Sequence, residues 1–168
     1  MAGAVLLTLL RLADERATIQ TMPWAVILMV CGVSVLTAML EATGGADRFT
    51  SLVGRIATPR SIPAIIALMT GVISIYSSTS GVVLPAFLPL VPKFIEEMGG
   101  GDPWAIAMSI VIGGNVVDAA PLSTIGAICV AAAAVGTDRR LLFHKLLAWS
   151  FAMAFVAAGV CHLLFGLR

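Results

Sequence analysis

Apolar and polar positions divide the chain into uncharged stretches broken at two polar knots. From Ser61 to Pro92 there is no Asp, Glu, Lys or Arg. In the middle stands Tyr76-Ser77-Ser78-Thr79-Ser80-Gly81, with four consecutive hydroxyl residues. The apolar arms on either side, Ile62–Ile75 and Val82–Leu90, each fall short of the ~20 residues a helix needs to cross a bilayer. The pattern predicts a re-entrant hairpin over 61–97, with the knot as its tip at membrane depth. Non-helical backbone is tolerated at that depth only where protein buries it or where it lines a wet cavity.

The second knot falls within 103–136. An uncharged stretch begins at Trp104, is interrupted by Gly113-Gly114-Asn115-Val116-Val117-Asp118-Ala119-Ala120-Pro121, and resumes over Ile125–Val135. Paired glycines weaken a helix, and Pro121 has no N–H to contribute to one. The expectation is a discontinuous helix, two halves joined by an unwound segment. A kinked but continuous helix is the alternative.

The remaining elements follow from the same pattern. Residues 17–40 read as a spanning helix, with Pro23 suited to a first turn and Trp24 to the interface; Glu41 and Gly44-Gly45 end it. Residues 47–57 carry Phe49, Leu52, Val53 and Ile56 at helical spacing against Arg48 and Arg55, which fits an interfacial helix. Gly99-Gly100-Gly101 is a flexible turn, lacking the strand and Gly-Lys-Ser/Thr of a phosphate cradle. Thr137–Lys145, with Asp138, Arg139, Arg140, His144 and Lys145, reads as a loop before a final spanning helix over 146–167. Apolar Met1–Leu10 precedes Arg11, the reverse of a signal peptide's order. A partial helix over 1–12, the last turns of a longer one, is expected there; a re-initiated start and an interfacial helix are the alternatives. If the hairpin returns to the side it came from, Lys and Arg divide five against five, so orientation is undecided.

Composition agrees with this picture. The 168 residues are 60% hydrophobic and 11% charged, with a mean hydropathy of +1.05, where a soluble domain carries about 25% charged residues. The chain therefore belongs in a lipid bilayer. A net charge of +1 makes no case for nucleic acid. Cys31, Cys129 and Cys161 have no metal-ligand spacing and read as buried free thiols.

Candidate chemistry sits at the two knots. Asp118 is the single charged residue within an apolar stretch, and a charge at the centre of a spanning helix costs about 2.5–3.5 kcal/mol on insertion scales. Asn115, Ser123, Thr124 and freed carbonyls around it are hard oxygen ligands that could hold Na⁺; Asp118 could equally carry a proton. The plainer alternative is that Asp118 caps the second half-helix or lies near the surface. Ser77, Ser78, Thr79, Ser80 and Gly81 suit an anion at the tip, helped by the positive end of the second arm. Otherwise such hydroxyls bond back to a preceding carbonyl or join helices. No enzymatic constellation stands out. A serine hydrolase would need a Gly-x-Ser-x-Gly elbow and an oriented His, whereas His144 reads as a loop residue and His162 as an interface or helix contact.

The segments "IPAIIALMTGVISIYSSTSGVVLPAFLPLVP" and "GGNVVDAAPLSTIGAICVAAA" resemble the second half of carriers in the ion-transporter superfamily. The resemblance is greatest to malonate and dicarboxylate carriers of the MatC type, with the divalent-anion/sodium symporters and the permease subunits of tripartite dicarboxylate transporters behind them. "MPWAVILMVCGVSVLTAMLEATGGADRF" resembles the helix that precedes the hairpin in that group. The resemblance implies an all-α integral membrane protein: one repeat of an inverted-repeat transporter, in a bacterial inner membrane. It implies secondary transport of a small dicarboxylate coupled to Na⁺ or H⁺, with no other cofactor. Substrate would bind at Ser77, Ser78, Thr79, Ser80, Gly81, Asn115, Pro121, Ser123 and Thr124. The coupling cation would bind at Ser78, Asn115, Asp118 and Ala120. The symporters carry Ser-Asn-Thr at their tip where this chain has Ser78-Thr79 preceded by Ser77, which puts the tip's cation role in question. Such a site needs a second repeat or a second protomer as partner. An inactive structural remnant is the competing reading.

Overall fold

The computed structural model describes residues 15–134 and 136–167. The partial helix expected over 1–12 lies outside the described residues. Among those described, every regular element is helical. Helices α1 (Glu15–Thr21) and α2 (Trp24–Ala42) come first. They divide the stretch expected as one helix over 17–40, because Pro23 has no N–H and turns Met22 away from helical backbone. Gly44, at φ 71°, then reverses the chain in a left-handed conformation that suits glycine.

Helix α3 (Gly45–Ile56) buries Ala46, Thr50 and Val53 and exposes Arg48 and Arg55. Its Phe49 packs edge-on against Phe87 and Phe94, with ring centroids 5.9 and 6.2 Å away. Of the apolar face expected for it, Leu52 and Ile56 stay exposed.

Helix α4 (Ile62–Tyr76) ends where Ser77 adopts extended backbone. A π-helical turn, Thr79–Val83, then leads through α5 (Leu84–Phe87), a 3-10 turn (Leu88–Leu90) and α6 (Val91–Glu97). Pro85, Pro89 and Pro92 each fall in a first turn of one of these pieces, which explains the segmentation. The second arm is therefore longer than the Val82–Leu90 expected. Its helical run covers Thr79–Glu97, 19 residues, because Lys93, Glu96 and Glu97 continue the helix into a charged end. That end returns to where α4 began: Lys93 pairs with Asp47 at 2.7 Å, and Ile62 and Ile66 share a core with Val91 and Phe94.

Helix α7 (Pro103–Val116) starts at Asp102, whose carboxylate accepts the Trp104 N–H at 2.9 Å. It packs along α4 through small residues. A Cβ at Gly113 would run into the Ala67 carbonyl and the Thr70 hydroxyl, so only glycine allows this approach. After a non-helical segment comes α8 (Thr124–Ala131), then α9 (Arg139–Cys161), which continues as a π-helical turn to Gly166. The expected loop over Thr137–Lys145 is mostly helix: Asp138 caps α9, accepting the Arg140 and Leu141 N–H groups at 3.0 and 3.1 Å. His144 accordingly lies on an exposed helix face. Helix α9 runs antiparallel to α4. Tyr76 stacks edge-on against Phe151, Gly71 faces Ala154, and His162 Nδ1 lies 3.2 Å from the Arg60 carbonyl.

Three runs, Trp24–Ala42, Thr79–Glu97 and Arg139–Gly166, are long and apolar enough to cross a membrane. They fit a membrane protein, as does α2, which buries none of its residues. Cys161 is buried, but Cys31 and Cys129 are exposed, contrary to the expectation for all three.

Candidate functional site

The two polar knots meet. Both α4 and α7 run from the same end of the bundle, and their close packing brings the end of each to one level. A Cβ at Gly114 of α7 would lie 2.7 Å from Thr79 Cγ2 of the tip. Beyond Val116 the chain makes successive tight turns, Asp118 N–H to Asn115 O, Ala120 N–H to Val117 O and Ser123 N–H to Ala120 O, at 3.2, 2.8 and 2.9 Å. The Ser123 hydroxyl contacts the Asp118 and Ala120 carbonyls from within this segment, fixing its shape.

Thr79 is the junction. Its side chain is 2% exposed, and its Oγ1 lies 2.5 Å from Asp118 Oδ1, 2.5 Å from Ser74 Oγ and 3.2 Å from the Gly114 carbonyl. A hydroxyl has one proton to give and two lone pairs to offer. With Asp118 ionised, the Thr79 proton goes to the carboxylate, the stronger acceptor, and Ser74 donates to Thr79. One hydrogen-bonded chain then links α4, the tip and the segment after α7.

Beside this junction lies a cavity of about 500 Å³, lined by Ser78, Thr79, Ser80 and Gly81 of the tip, Asp118, Thr124 and Ile125, and by Val26, Met29 and Val30 of α2. At the tip, Ser78 Oγ accepts the Gly81 N–H at 3.2 Å. A Cβ on Gly81 would meet the terminal methyl of Met29, a flexible side-chain end, so α2 abuts the tip here. Among the described residues, Asp118 is the only carboxylate or base that lines the cavity.

Six of the residues singled out in the sequence therefore share the cavity: Ser78, Thr79, Ser80, Gly81, Asp118 and Thr124. The others point elsewhere. Ser77 donates back to the Ile73 carbonyl at 2.9 Å. Asn115 is exposed and donates to the Val111 carbonyl at 2.8 Å. Ala120 packs in a small core with Ile75, Val117 and Ala154; Pro121 is buried, and neither lines the cavity. Asp118 does not cap α8, whose N-cap position is Ser123.

The sequence reading missed Ser74 and the whole α2 wall. Ser74 left a signal, a lone hydroxyl near the end of an apolar arm. The wall left none, since an apolar residue facing a cavity and one facing lipid read alike. Set against protein-family models, curated proteins and solved structures, the chain matches none.

Proposed function

We propose that this chain is the C-terminal half of a secondary carrier that moves a small dicarboxylate, of the malonate or four-carbon type, coupled to Na⁺ or H⁺. The observation that carries the reading is the Thr79–Asp118 hydrogen bond, which joins two polar breaks 39 positions apart at the edge of a cavity. Half-helix ends and unwound backbone meeting inside the apolar layer are how carriers of this architecture build a binding site. Depth supports it. Tyr76, at the tip, lies beside Phe151, six residues past Lys145 in α9. At 1.5 Å per residue that is about 9 Å from the charged turn and about 22 Å from Gly166. In this reading 61–97 is the re-entrant hairpin, and α7 with α8 is the discontinuous spanning helix.

Charge decides how such a site works. Among the described residues that line this cavity, a dianion meets Asp118 and no basic side chain. A cation or proton at Asp118 removes that repulsion, which is the physical content of symport here. The opposing wall, with its own tip, comes from a first repeat or a second protomer.

The test is uptake. Proteoliposomes holding the chain in the complex it forms in its native membrane are given a Na⁺ or pH gradient and assayed with labelled malonate and four-carbon dicarboxylates. Gradient-dependent uptake that falls to background in Asp118→Asn supports the reading. Absence of such uptake for every dicarboxylate removes it.

A further inference from the structure

We infer that the outward face of α3 is a docking surface for anionic phospholipid, with Arg48 and Arg55 on lipid phosphates and Leu52 and Ile56 among the acyl chains. The surface is defined by α3 and the edge of the apolar layer, whatever the tip binds.

The helix lies at that edge. It follows α2, a run long and apolar enough to cross a membrane, after the reversal at Gly44. Its Asp47 pairs at 2.7 Å with Lys93, where a second such run, Thr79–Glu97, passes into charged residues. Ala46 and Val53 of α3 share a core with Phe94 of α6 and Ile106 of α7. Trp104, 67% exposed in the first turn of α7, therefore stands at the same end, and an indole suits the headgroup level.

Around α3 the residue types are sorted. Ala46, Thr50 and Val53 are buried, and Phe49 packs on Phe87 and Phe94. At about 100° per residue, Arg55, Arg48, Leu52 and Ile56 follow in order within roughly 100° of arc. Both arginines are exposed, Leu52 is 59% exposed and Ile56 78%. The acids gather on the other flank. Asp47 is held by Lys93, and Glu41 and Glu96 act on the same lysine. Glu97 lies against Gly54, where an added Cβ would stand 3.0 Å from its Cγ. Among the described residues Lys93–Asp47 is the single ion pair, so the charges of Arg48 and Arg55 are not neutralised by one.

These groups select the occupant. A guanidinium forks onto phosphate oxygens and keeps its charge at any ordinary pH. Roughly 10 Å of helix axis separates Arg48 from Arg55, which suits two neighbouring headgroups better than one soluble anion. A free phosphate would also leave Leu52 and Ile56 in water, whereas acyl chains take them out of it.

Photoactivatable phosphatidylglycerol, with a diazirine in its acyl chain, tests this on the full chain in phosphatidylcholine liposomes. Irradiation should label the 45–56 segment. Unlabelled phosphatidylglycerol should compete, and inorganic phosphate should not. Arg48→Gln and Arg55→Gln should each lower the labelling roughly five-fold, the weight of one basic residue at an anionic surface. Leu52→Ser combined with Ile56→Ser should lower it with both arginines kept. Arg139→Gln with Arg140→Gln, exposed at the start of α9, should leave it unchanged. Surface substitutions of this kind preserve the fold. No label on 45–56, as when another protein covers the face, overturns the inference, and so does labelling indifferent to both arginine variants. Full competition by inorganic phosphate also overturns it, making the arginines a free-anion site. Equal labelling by a phosphatidylcholine probe does the same, making α3 an unselective interfacial helix.

Discussion

Where Ile62 meets Phe94, side-chain volume holds the helices together; where Thr79 meets Asp118, hydrogen bonds do. The first region buries Ile66, Val83, Phe87, Leu90, Phe94, Ile106 and Ile110, with three aromatic rings edge to face. The second has a core of only Ile75, Val117, Ala120 and Ala154, and a cavity beside it. A close-packed core has one low-energy arrangement and resists change. A network of hydroxyls and one carboxylate around open space can exchange partners at little cost. The base is the close-packed part of the fold, and the tip is the part where hydrogen-bond partners border open space.

The sharpest test of the contrast is to remove volume from the base. Phe94, 1% exposed, touches Phe49 of α3 and belongs to the larger buried core. Phe94→Ala should lower unfolding stability by about 3–5 kcal/mol, the usual cost of such a truncation. Equilibrium unfolding in detergent measures it. A loss smaller than that caused by any tip variant would break the distinction.

Gly113→Ala probes the seam that joins the two regions. The added methyl meets the Ala67 carbonyl, a backbone atom that cannot swing aside. Overpacking of this kind costs roughly 1–3 kcal/mol. The same unfolding assay should show it, and Gly159→Ala, where no atom lies near, should be neutral.

Thr79→Val keeps the shape and removes the hydroxyl. Hydrogen bonds between membrane helices are worth roughly 0.6–1.7 kcal/mol, and the loss in stability should fall in that range, with Thr79→Ser recovering most of it. The functional effect should be out of proportion: uptake near background in Thr79→Val, and near wild type in Thr79→Ser. A Thr79→Val protein that transports normally would reduce the network to helix glue.

Much of this was legible because charge and hydroxyl placement are strong signals in an apolar chain. Each knot contains a break in the α-helical backbone, at Ser77-Ser78 and after Val116, although Tyr76 and Gly113–Val116 stay α-helical and Thr79–Val83 is a π-helical turn. What the sequence hid has physical causes. The charges of Arg139, Arg140 and Lys145 read as a loop, yet Asp138 supplied an N-cap that makes a helix start there. The second arm outran its apolar stretch because charged residues can end a helix in water without breaking it. The contribution of Met29 depends on a contact 52 positions away in the chain, with Gly81, which no local pattern encodes.

Asn115 separates a shared location from a shared role. It belongs to the second knot by sequence, and an amide beside a break is a natural ligand. In the structure its Nδ2 is spent on the Val111 carbonyl one turn earlier, and its side chain is exposed and does not line the cavity. Asn115→Ala should therefore change stability by less than about 0.5 kcal/mol, as surface substitutions generally do. Its effect on uptake by the assembled protein is the informative part. Uptake at the wild-type level places Asn115 among residues that merely flank the break. If uptake is lost while stability is kept, the exposed amide instead serves the transport proposed above. In that case the opposing wall proposed above meets this chain at the end of α7 as well as at Thr79 and Asp118.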